Sequence, residues 1–425
     1  TGPVDVISST AEQMFLDIPP AYMATLPHYQ GDLLLTEHSA GSITSQCYMK
    51  RWNFKNERLA DAAERAAVFA DWLGGPAYPQ KRLNDAWTLV LGGQFHDILP
   101  GTSHPKAYEY SWNDEIIALN QFACVVDSSI GAIATGLDTE ATGVPLVVYN
   151  PLSITREDVV EARIAWPGVL PTAVRVLNPS GVEVPSQIVS AADGELRILF
   201  LATVPSVGLA VYDVQAAATA ATSTLSVTTS SLENARYIIT LDGNGDVANI
   251  YDKTAGRELL TAPARLAFSH DFPAAWPAWN IDWEDAQQPP QAYVSGPATV
   301  QIIENGAARV ALQVTRDSQG SHFVQTIRLA AGGAANRVEF ANTIDWMSSI
   351  CNLKAVFPLT VANPNATYNW EVGTLQRGNN NASKYEVPAH QWFDLTATNG
   401  TYGVTVLSDC KYGSDKPDDH TLRLT

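Results

Sequence analysis

The spacing of apolar residues changes once along the chain, near Leu137, and this change constrains the fold more than any other feature. Before it, apolar side chains recur at steps of three and four residues in three runs, which is the period of one face of an α-helix. Three helices with short connections predict an antiparallel three-helix bundle over residues 46–137. The residues predicted to face its core are Leu59, Ala62, Ala66, Phe69, Leu73, Leu83, Trp87, Val90, Leu91, Trp112, Ile116, Leu119, Ala123, Val126, Ile130 and Ile133.

After this point, short apolar runs are separated by turns rich in Asn, Pro, Gly and Asp, which is typical of β-strands. The turn Asp242–Gly245 is a strong hairpin signal. No helix of comparable length is predicted, so a first β unit over 138–214 and a large β-sandwich domain over 215–425 are expected. The whole is therefore predicted to be an α+β multidomain protein. The predicted strands are Val144–Tyr149, Val174–Leu177, Leu196–Val204, Leu209–Val214, Ala235–Leu241, Asp246–Tyr251, Thr299–Ile303, Arg309–Thr315, His322–Leu329 and Arg337–Asn342.

Charge and cysteine content exclude several classes of partner and site. A net charge of −18 and a pI near 4.7 argue against nucleic acid and anionic membranes as partners. No apolar run reaches the length of a membrane span, and no signal peptide is visible. The four cysteines lie far apart without CxxC spacing, so buried free thiols are expected instead of a zinc site made of cysteines or a disulfide framework. The alanine-rich composition and the scarcity of secretion motifs favour a cytoplasmic location in a bacterium.

The stretch Gly92–Ser103 has the pattern of a functional corner. The second helical run delivers His96 and Asp97 to its end, and Pro100-Gly101 then stops the helix. Thr102 or Ser103 is predicted to cap the next helix, with Pro105 in its first turn. An imidazole beside a carboxylate at such a corner suits a metal ligand next to a substrate-binding acid, although an isolated His-Asp pair is more often a plain surface turn.

The sequence Phe-His-Asp-Ile-Leu-Pro-Gly-Thr-Ser at residues 95–103 resembles a signature near the active site of glycoside hydrolase family 38, the retaining α-mannosidases. By this resemblance, His96 is a zinc ligand and Asp97 contacts the metal-bound sugar. Residues 37–46 resemble the family's link between its catalytic α/β barrel and the following bundle. Residues 1–45 are accordingly expected to be the end of that barrel, with strands at Val4–Ile7 and Asp32–Thr36 and a short helix after Thr10.

An acidic, aromatic loop at Trp276–Asp285 is the second candidate site. Indole rings stack on sugars and carboxylates accept hydrogen bonds from hydroxyls, which makes Trp279 and Asp282 candidate substrate-binding residues. Burial in the core is the competing interpretation for each tryptophan. The similar stretch of glycoside hydrolase family 38 has a Trp followed by an Asp, where this chain has Asn280. Asp282 is therefore the better carboxylate candidate.

The resemblance implies a zinc-dependent retaining α-mannosidase acting on terminal α-mannosyl linkages of glycans or oligosaccharides. The family's other zinc ligands and its nucleophile come from barrel segments that include a His-x-Asp triplet, and this chain contains no such triplet. Of the expected ligands only His96 is present, and zinc needs three or four. The chain is therefore predicted to be inactive alone, with no catalytic residue of its own, and to depend on an N-terminal catalytic domain.

Other interpretations stay open. The β region is also compatible with a non-catalytic carbohydrate-binding or assembly module, and an enzyme acting on another sugar or linkage is a third possibility. Homo-oligomer formation is compatible with the sequence. The start at Thr1 without Met and the strand-like C-terminal residues Thr421–Thr425 lead us to expect that both ends are cut.

Overall fold

The computed structural model describes residues 6–34 and 36–425, and the chain forms two compact units, residues 1–34 and 35–425. The first unit contains the helices α1 (Ala11–Leu16) and α2 (Pro20–Met23). The Thr10 hydroxyl accepts the Gln13 N–H at 3.2 Å, so the helix predicted after Thr10 is confirmed.

The strand predicted at Asp32–Thr36 is wrong. Residues 32–34 have no regular structure, and Thr36 begins helix α3 (Thr36–Ser39). A strand requires a paired neighbour, and residues 6–34 contain none. The strand predicted at Val4–Ile7 lies mainly outside the described residues.

Three long helices in the second unit pack around one core: α4 (Cys47–Trp72), α5 (Gln80–Gly93) and α6 (Pro105–Ala134). A short 3-10 helix, Ala40–Ile43, precedes them. Five of the nine core residues are alanines, whose small side chains let the helices approach closely. The shared core consists of Ala60, Ala63, Ala67, Leu83, Ala86, Val90, Ala118, Phe122 and Val125.

The inward face predicted for α6 is wrong by about one residue. Ile116 is 42% exposed and Ala123 is exposed, whereas Ala118 and Phe122 are buried. On α5, Leu91 is also exposed instead of buried. Apolar residues also lie on the exposed side of helix α6, among them Ile116, Ile117 and Ala123, so its periodicity does not select the buried face. By length and composition alone it could also cross a membrane.

A charged side chain, Glu115, is buried in this helical core. Its Oε2 accepts a hydrogen bond from the Asn56 amide at 2.6 Å, while Oε1 lacks a partner among the described residues. A Cβ at Gly93 would lie 2.3 Å from Oε1, which explains why the weak helix former glycine occupies this position. Burial raises the pKa of Glu115 to about 7; the Asn56 hydrogen bond opposes the shift, and Asp114 and Glu57 add to it.

Replacing Glu115 by Gln should stabilise the fold in a pH-dependent way. The pKa of Glu115 is higher in the folded protein than in the unfolded chain, so protonation of Glu115 favours the folded state. This contribution to the free energy of unfolding is complete below pH 4.5 and is lost as the pH rises from 4.5 to 7. Above pH 7, Glu115→Gln should raise the free energy of unfolding by roughly 1–3 kcal/mol, with a much smaller effect at pH 4.5. Urea unfolding across this range measures it. Glu109→Gln, on the exposed side of the same helix, is the control, and an equal effect of Glu115→Gln at every pH would contradict the account.

The chain after α6 contains antiparallel strands and a single helical turn, α7 (Trp283–Ala286), besides a 3-10 turn at Gly332–Asn336. The first seven strands are β1 (Val144–Asn150), β2 (Arg156–Ala165), β3 (Ala173–Leu177), β4 (Glu183–Val184), β5 (Ser186–Ala192), β6 (Glu195–Val204) and β7 (Gly208–Ala217). The rest are β8 (Ser226–Thr228), β9 (Ser231–Glu233), β10 (Tyr237–Leu241), β11 (Val247–Asp252), β12 (Arg257–Glu258), β13 (Arg265–His270), β14 (Ala292–Tyr293), β15 (Thr299–Asn305), β16 (Arg309–Ser318), β17 (Ser321–Ala330), β18 (Glu339–Asp345), β19 (Cys351–Pro358), β20 (Asn365–Trp370), β21 (Gly373–Gly378), β22 (Val387–Pro388), β23 (Trp392–Thr396), β24 (Gly403–Leu407), β25 (Gly413–Asp415) and β26 (Thr421–Leu424).

These strands form six sheets. Two of them, ordered β1-β7-β3-β4 and β2-β6-β5, share a core that includes Phe200 and Tyr212. The others are ordered β12-β11-β10-β9-β8, β14-β13-β19-β26-β25-β22, β15-β16-β17-β18 and β21-β20-β23-β24. Phe268 of β13 and Phe323 of β17 join two of these sheets in one hydrophobic cluster. The predicted α+β class is therefore confirmed.

All four cysteines are free, as predicted, but their predicted burial is wrong for two of them. Cys47 and Cys124 are exposed on α4 and α6, and Cys351 and Cys410 are half-buried. The spacing of the cysteines indicates whether they can form a shared site. It does not indicate which face of a helix each thiol occupies, and Cys47 and Cys124 lie on outward faces.

Candidate functional site

The turn that carries His96 and Asp97 follows directly after α5. Main-chain hydrogen bonds close it, from Ile98 N–H to Phe95 O at 2.9 Å and from Thr102 N–H to Asp97 O at 3.1 Å. Pro105 is the first residue of α6, as predicted. The predicted cap at Thr102 or Ser103 is wrong, because the ring of His104 accepts the Lys106 N–H instead.

The imidazole of His96 points outward from this turn. Its side chain is 74% exposed, and Nε2 lies 3.6 Å from Oδ2 of Asp97, whose side chain is 43% exposed. The ring packs beside the Phe95 ring, with centroids 4.2 Å apart. An exposed imidazole next to a carboxylate remains accessible to a ligand from outside the chain.

Asp97 is held in place from two sides. The Thr102 hydroxyl donates to Asp97 Oδ1 at 2.9 Å, and the Tyr108 hydroxyl donates to Asp97 O at 3.2 Å while accepting the Ser103 N–H. Burial raises the pKa of Tyr108; the Ser103 hydrogen bond opposes the shift, and Asp97 adds to it. These contacts fix Oδ1 and leave Oδ2 directed towards the imidazole.

The second candidate segment is the loop formed by residues 271–286, which we call the tryptophan loop. Asp282 Oδ2 accepts the Ala274 N–H at 2.8 Å and Asp285 Oδ2 accepts the Phe272 N–H at 2.6 Å, so both carboxylates brace the main chain of the loop. Trp276 is 63% exposed, and its ring lies edge-on to that of the half-buried Trp279 at 6.1 Å. The loop therefore presents indole surface, while one oxygen of Asp282 is already engaged.

A single short segment, residues 41–45, contacts both candidate segments. Trp279 O accepts the N–H groups of Gly41 and Ser42 at 2.7 and 3.2 Å. The Ser45 hydroxyl donates to Ala278 O at 2.7 Å. On the other side, a Cβ at Gly101 would lie 2.4 Å from Ser45 O. The His96 turn and the tryptophan loop are thus linked through this segment, and no hydrogen bond or ring contact joins them directly among the described residues.

Sequence reasoning missed Asp271, at the start of the tryptophan loop. Burial raises the pKa of its carboxyl to about 6; Asp285 and Glu386 add to the shift, while Lys354 and a hydrogen bond with Asn352 oppose it. Its buried Oδ1 has no hydrogen-bond partner within the described part of the chain. In the sequence, Asp271 is only an acidic residue that follows a strand. This pattern is too common to indicate a functional residue.

A complete metal site is not present in residues 6–34 and 36–425. No group of three or more His, Cys, Asp or Glu side chains is arranged there to hold an ion. Zinc takes three or four protein ligands, so His96 and Asp97 do not by themselves fit the requirement.

Comparison with known proteins identifies the domains that carry these segments. Residues 37–132, which include His96 and Asp97, match the α-mannosidase middle domain. Residues 232–425, which include Trp279 and Asp282, match the C-terminal domain of glycosyl hydrolases family 38. The chain contains the middle and C-terminal domains of the family 38 α-mannosidases.

The relatives are α-mannosidases of greater length. α-Mannosidase G of Dictyostelium discoideum is 25% identical over 95% of this chain and 40% of its own length. α-Mannosidase 2C1 of Mus musculus is 27% identical over 90% of this chain and 35% of its own length. The chain thus spans 35–40% of the length of these two relatives.

Two solved structures show the same fold. One is a family 38 glycosyl hydrolase from Enterococcus faecalis, with a TM-score of 0.78 and 17% identity over 99% of this chain and 56% of that one. The other is an α-mannosidase from Enterococcus faecalis V583, with a TM-score of 0.81 and 16% identity over 98% of this chain and 55% of that one.

Substituting Gly101 by Ala should disrupt the turn. Its φ of +88° is unfavourable for alanine, and the added Cβ would meet the Ser45 carbonyl at 2.4 Å. We expect Gly101→Ala to lower the free energy of unfolding by roughly 2–4 kcal/mol in urea denaturation.

Gly92→Ala is the matched control. A Cβ at Gly92, within α5, would meet no atom within 4 Å, so this change should leave stability unchanged or raise it by up to about 1 kcal/mol. Equal effects of the two substitutions would contradict the close contact between the turn and segment 41–45.

Proposed function

We propose that this chain is part of a zinc-dependent retaining α-mannosidase that hydrolyses terminal α-mannosyl linkages of glycans or oligosaccharides. The observation that carries the proposal is the exposed imidazole of His96 beside Asp97, within residues that match the α-mannosidase middle domain. The named relatives, all α-mannosidases, support the reaction type.

Two side chains have distinct roles in this proposal. His96 supplies one zinc ligand through its exposed ring. Asp97 accepts a hydrogen bond from a sugar hydroxyl through Oδ2, since Oδ1 is occupied by the Thr102 hydroxyl. A hydrogen bond to an ionised carboxylate is stronger than one between neutral groups, which suits a contact that orients the sugar.

The remaining chemistry is proposed to come from elsewhere in the enzyme. A retaining glycosidase uses two carboxyl groups about 5–5.5 Å apart, one as nucleophile and one as acid/base. We propose that both, and the other zinc ligands, belong to the part of the relatives that this chain does not cover. The chain by itself should therefore be inactive.

The activity of the chain alone tests whether the catalytic carboxyl groups lie outside it. We expect no turnover of an aryl α-mannoside in the presence of added zinc. Turnover that disappears on replacing His96 would contradict this expectation, because it would show that the chain holds a complete catalytic site.

In the complete enzyme, His96→Ala should remove zinc and α-mannosidase activity together. Asp97→Asn should keep the metal and lower kcat/KM by roughly tenfold or more, because a charge-assisted contact to the sugar is lost. Metal analysis and aryl α-mannoside kinetics measure these effects. The matched control is His322→Ala, since His322 forms a second exposed His–Asp pair, at 2.7 Å from Asp317 on other strands. Full zinc content in His96→Ala would refute the proposed role.

The indole rings of the exposed Trp276 and the half-buried Trp279 favour a second, compatible function, which is saccharide binding by the tryptophan loop. We propose that Trp279 stacks on a sugar ring and that Asp282 accepts a hydrogen bond from a sugar hydroxyl through Oδ1, the oxygen that does not bind the Ala274 N–H. This function would persist in a non-catalytic carbohydrate-binding or assembly module.

Trp279→Ala should weaken binding of a mannose oligosaccharide by about tenfold, since burying an aromatic face contributes on the order of 1 kcal/mol or more. His96→Ala should leave this binding intact if the loop acts as a binding module. Isothermal titration calorimetry measures both, with Trp72→Ala, an exposed tryptophan at the end of α4, as control. Unchanged affinity in Trp279→Ala would exclude the loop as a saccharide site.

A further inference from the structure

Lys50, in the first turn of α4, is a buried lysine next to the His96 turn. It is only 5% exposed, and its ammonium donates to three main-chain carbonyls, Ser45 O at 2.5 Å, Leu99 O at 2.9 Å and Pro100 O at 3.2 Å. An ammonium has three N–H donors, so each of them has an acceptor.

Burying this charge is costly, because no carboxylate compensates it among its hydrogen-bond partners. Burial lowers the pKa of Lys50 to about 7; Cys47 opposes the shift, and the charge of Lys411 adds to it. A methionine would fill the same space without this cost. The lysine at this position is thus explained by its three hydrogen bonds to main-chain carbonyls and not by packing.

The three acceptors belong to two chain segments that meet at the candidate site. Leu99 and Pro100 lie in the turn that starts with His96 and Asp97. Ser45 is the residue whose hydroxyl donates to Ala278 O in the tryptophan loop. One ammonium therefore connects the His96 turn with the segment that supports the tryptophan loop.

We infer that Lys50 is a positioning residue, which fixes the turn carrying His96 and Asp97 relative to the tryptophan loop by binding the carbonyls of Ser45, Leu99 and Pro100. The inference rests on the proposed function, because this position matters for the reaction only if His96 and Asp97 act on zinc and sugar. Lys50 itself does not contact the substrate.

Amide hydrogen exchange of Lys50→Met tests the hold on the turn. The amides of Gly101 and Thr102, which close the turn, should exchange at least about tenfold faster, since hydrogen bonds to a charged group are lost. Lys50→Arg, which keeps several N–H donors, should restore part of the protection.

Lys416→Met is the matched control. Lys416 is also buried, and its ammonium donates to Asp418 O at 2.8 Å and to the Asn379 side chain, in a different part of the chain. This variant should leave exchange of the His96 turn unchanged. Equal exchange of the turn in Lys50→Met and in the unmodified protein would overturn the inference.

Kinetics and metal content of the complete enzyme distinguish positioning from a purely structural role. Lys50→Met should lower kcat for an aryl α-mannoside by about tenfold or more and weaken zinc retention, whereas a structural role would lower only the resistance to unfolding. If Lys50→Met exchanges the amides of the turn faster but keeps a normal kcat and zinc content, the inference is overturned. His96→Ala separates the two claims: if it keeps zinc and activity, the proposed function fails, whatever hydrogen exchange reports for Lys50.

A second variant covers the case in which Lys50→Met does not fold. Ser45→Ala keeps the Ser45 carbonyl on Lys50 but removes the hydroxyl donor to Ala278 O. It should increase exchange in residues 278–280 and lower kcat, with the turn 97–102 still protected. Unchanged exchange and kcat in this variant would refute the link between the two segments.

Discussion

The close main-chain contacts of segment 41–45 are the constraint on which the candidate site depends. Gly41 donates to Trp279 O on one side, and on the other Gly101 lies against Ser45 O so closely that no side chain would fit. These are contacts between backbones, which leave little freedom for relative movement. Segment 41–45 of the middle domain is therefore held against both candidate segments, the His96 turn and the tryptophan loop of the C-terminal domain.

Two buried charges accompany this arrangement, and both are unfavourable for stability on their own. Glu115 lies in the helical core against Gly93, three residues before His96, and Lys50 binds the carbonyls of the turn itself. Ionisable groups are seldom fully buried unless they are paired with an opposite charge, and neither group has a charged hydrogen-bond partner among the residues that the structure describes. Glu115 packs against the last residue of α5 and Lys50 binds the turn that follows, so both buried groups lie next to the part of the chain that carries His96.

Local pattern predicted much of the fold, and long-range contacts account for what it missed. Periodicity located the three helices, and the pair His96–Asp97 was correctly placed after the second, because these features depend on neighbouring residues. The predicted buried face of α6 was wrong, since apolar residues also lie on its exposed side and only the packing partners decide which face is buried. Strand β2 (Arg156–Ala165) was missed because charged residues interrupt its apolar alternation. The contact of Lys50 with Leu99 and Pro100 joins residues about 50 positions apart, and no sequence spacing indicates it.

The central claim is that the His96 imidazole is one ligand of a zinc ion shared with the rest of the enzyme. Anomalous diffraction at the zinc absorption edge, on crystals of the complete enzyme, tests it most directly. The account predicts a zinc peak about 2.0–2.1 Å from a ring nitrogen of His96. A zinc peak bound by other residues, with the His96 ring out of reach, would contradict it.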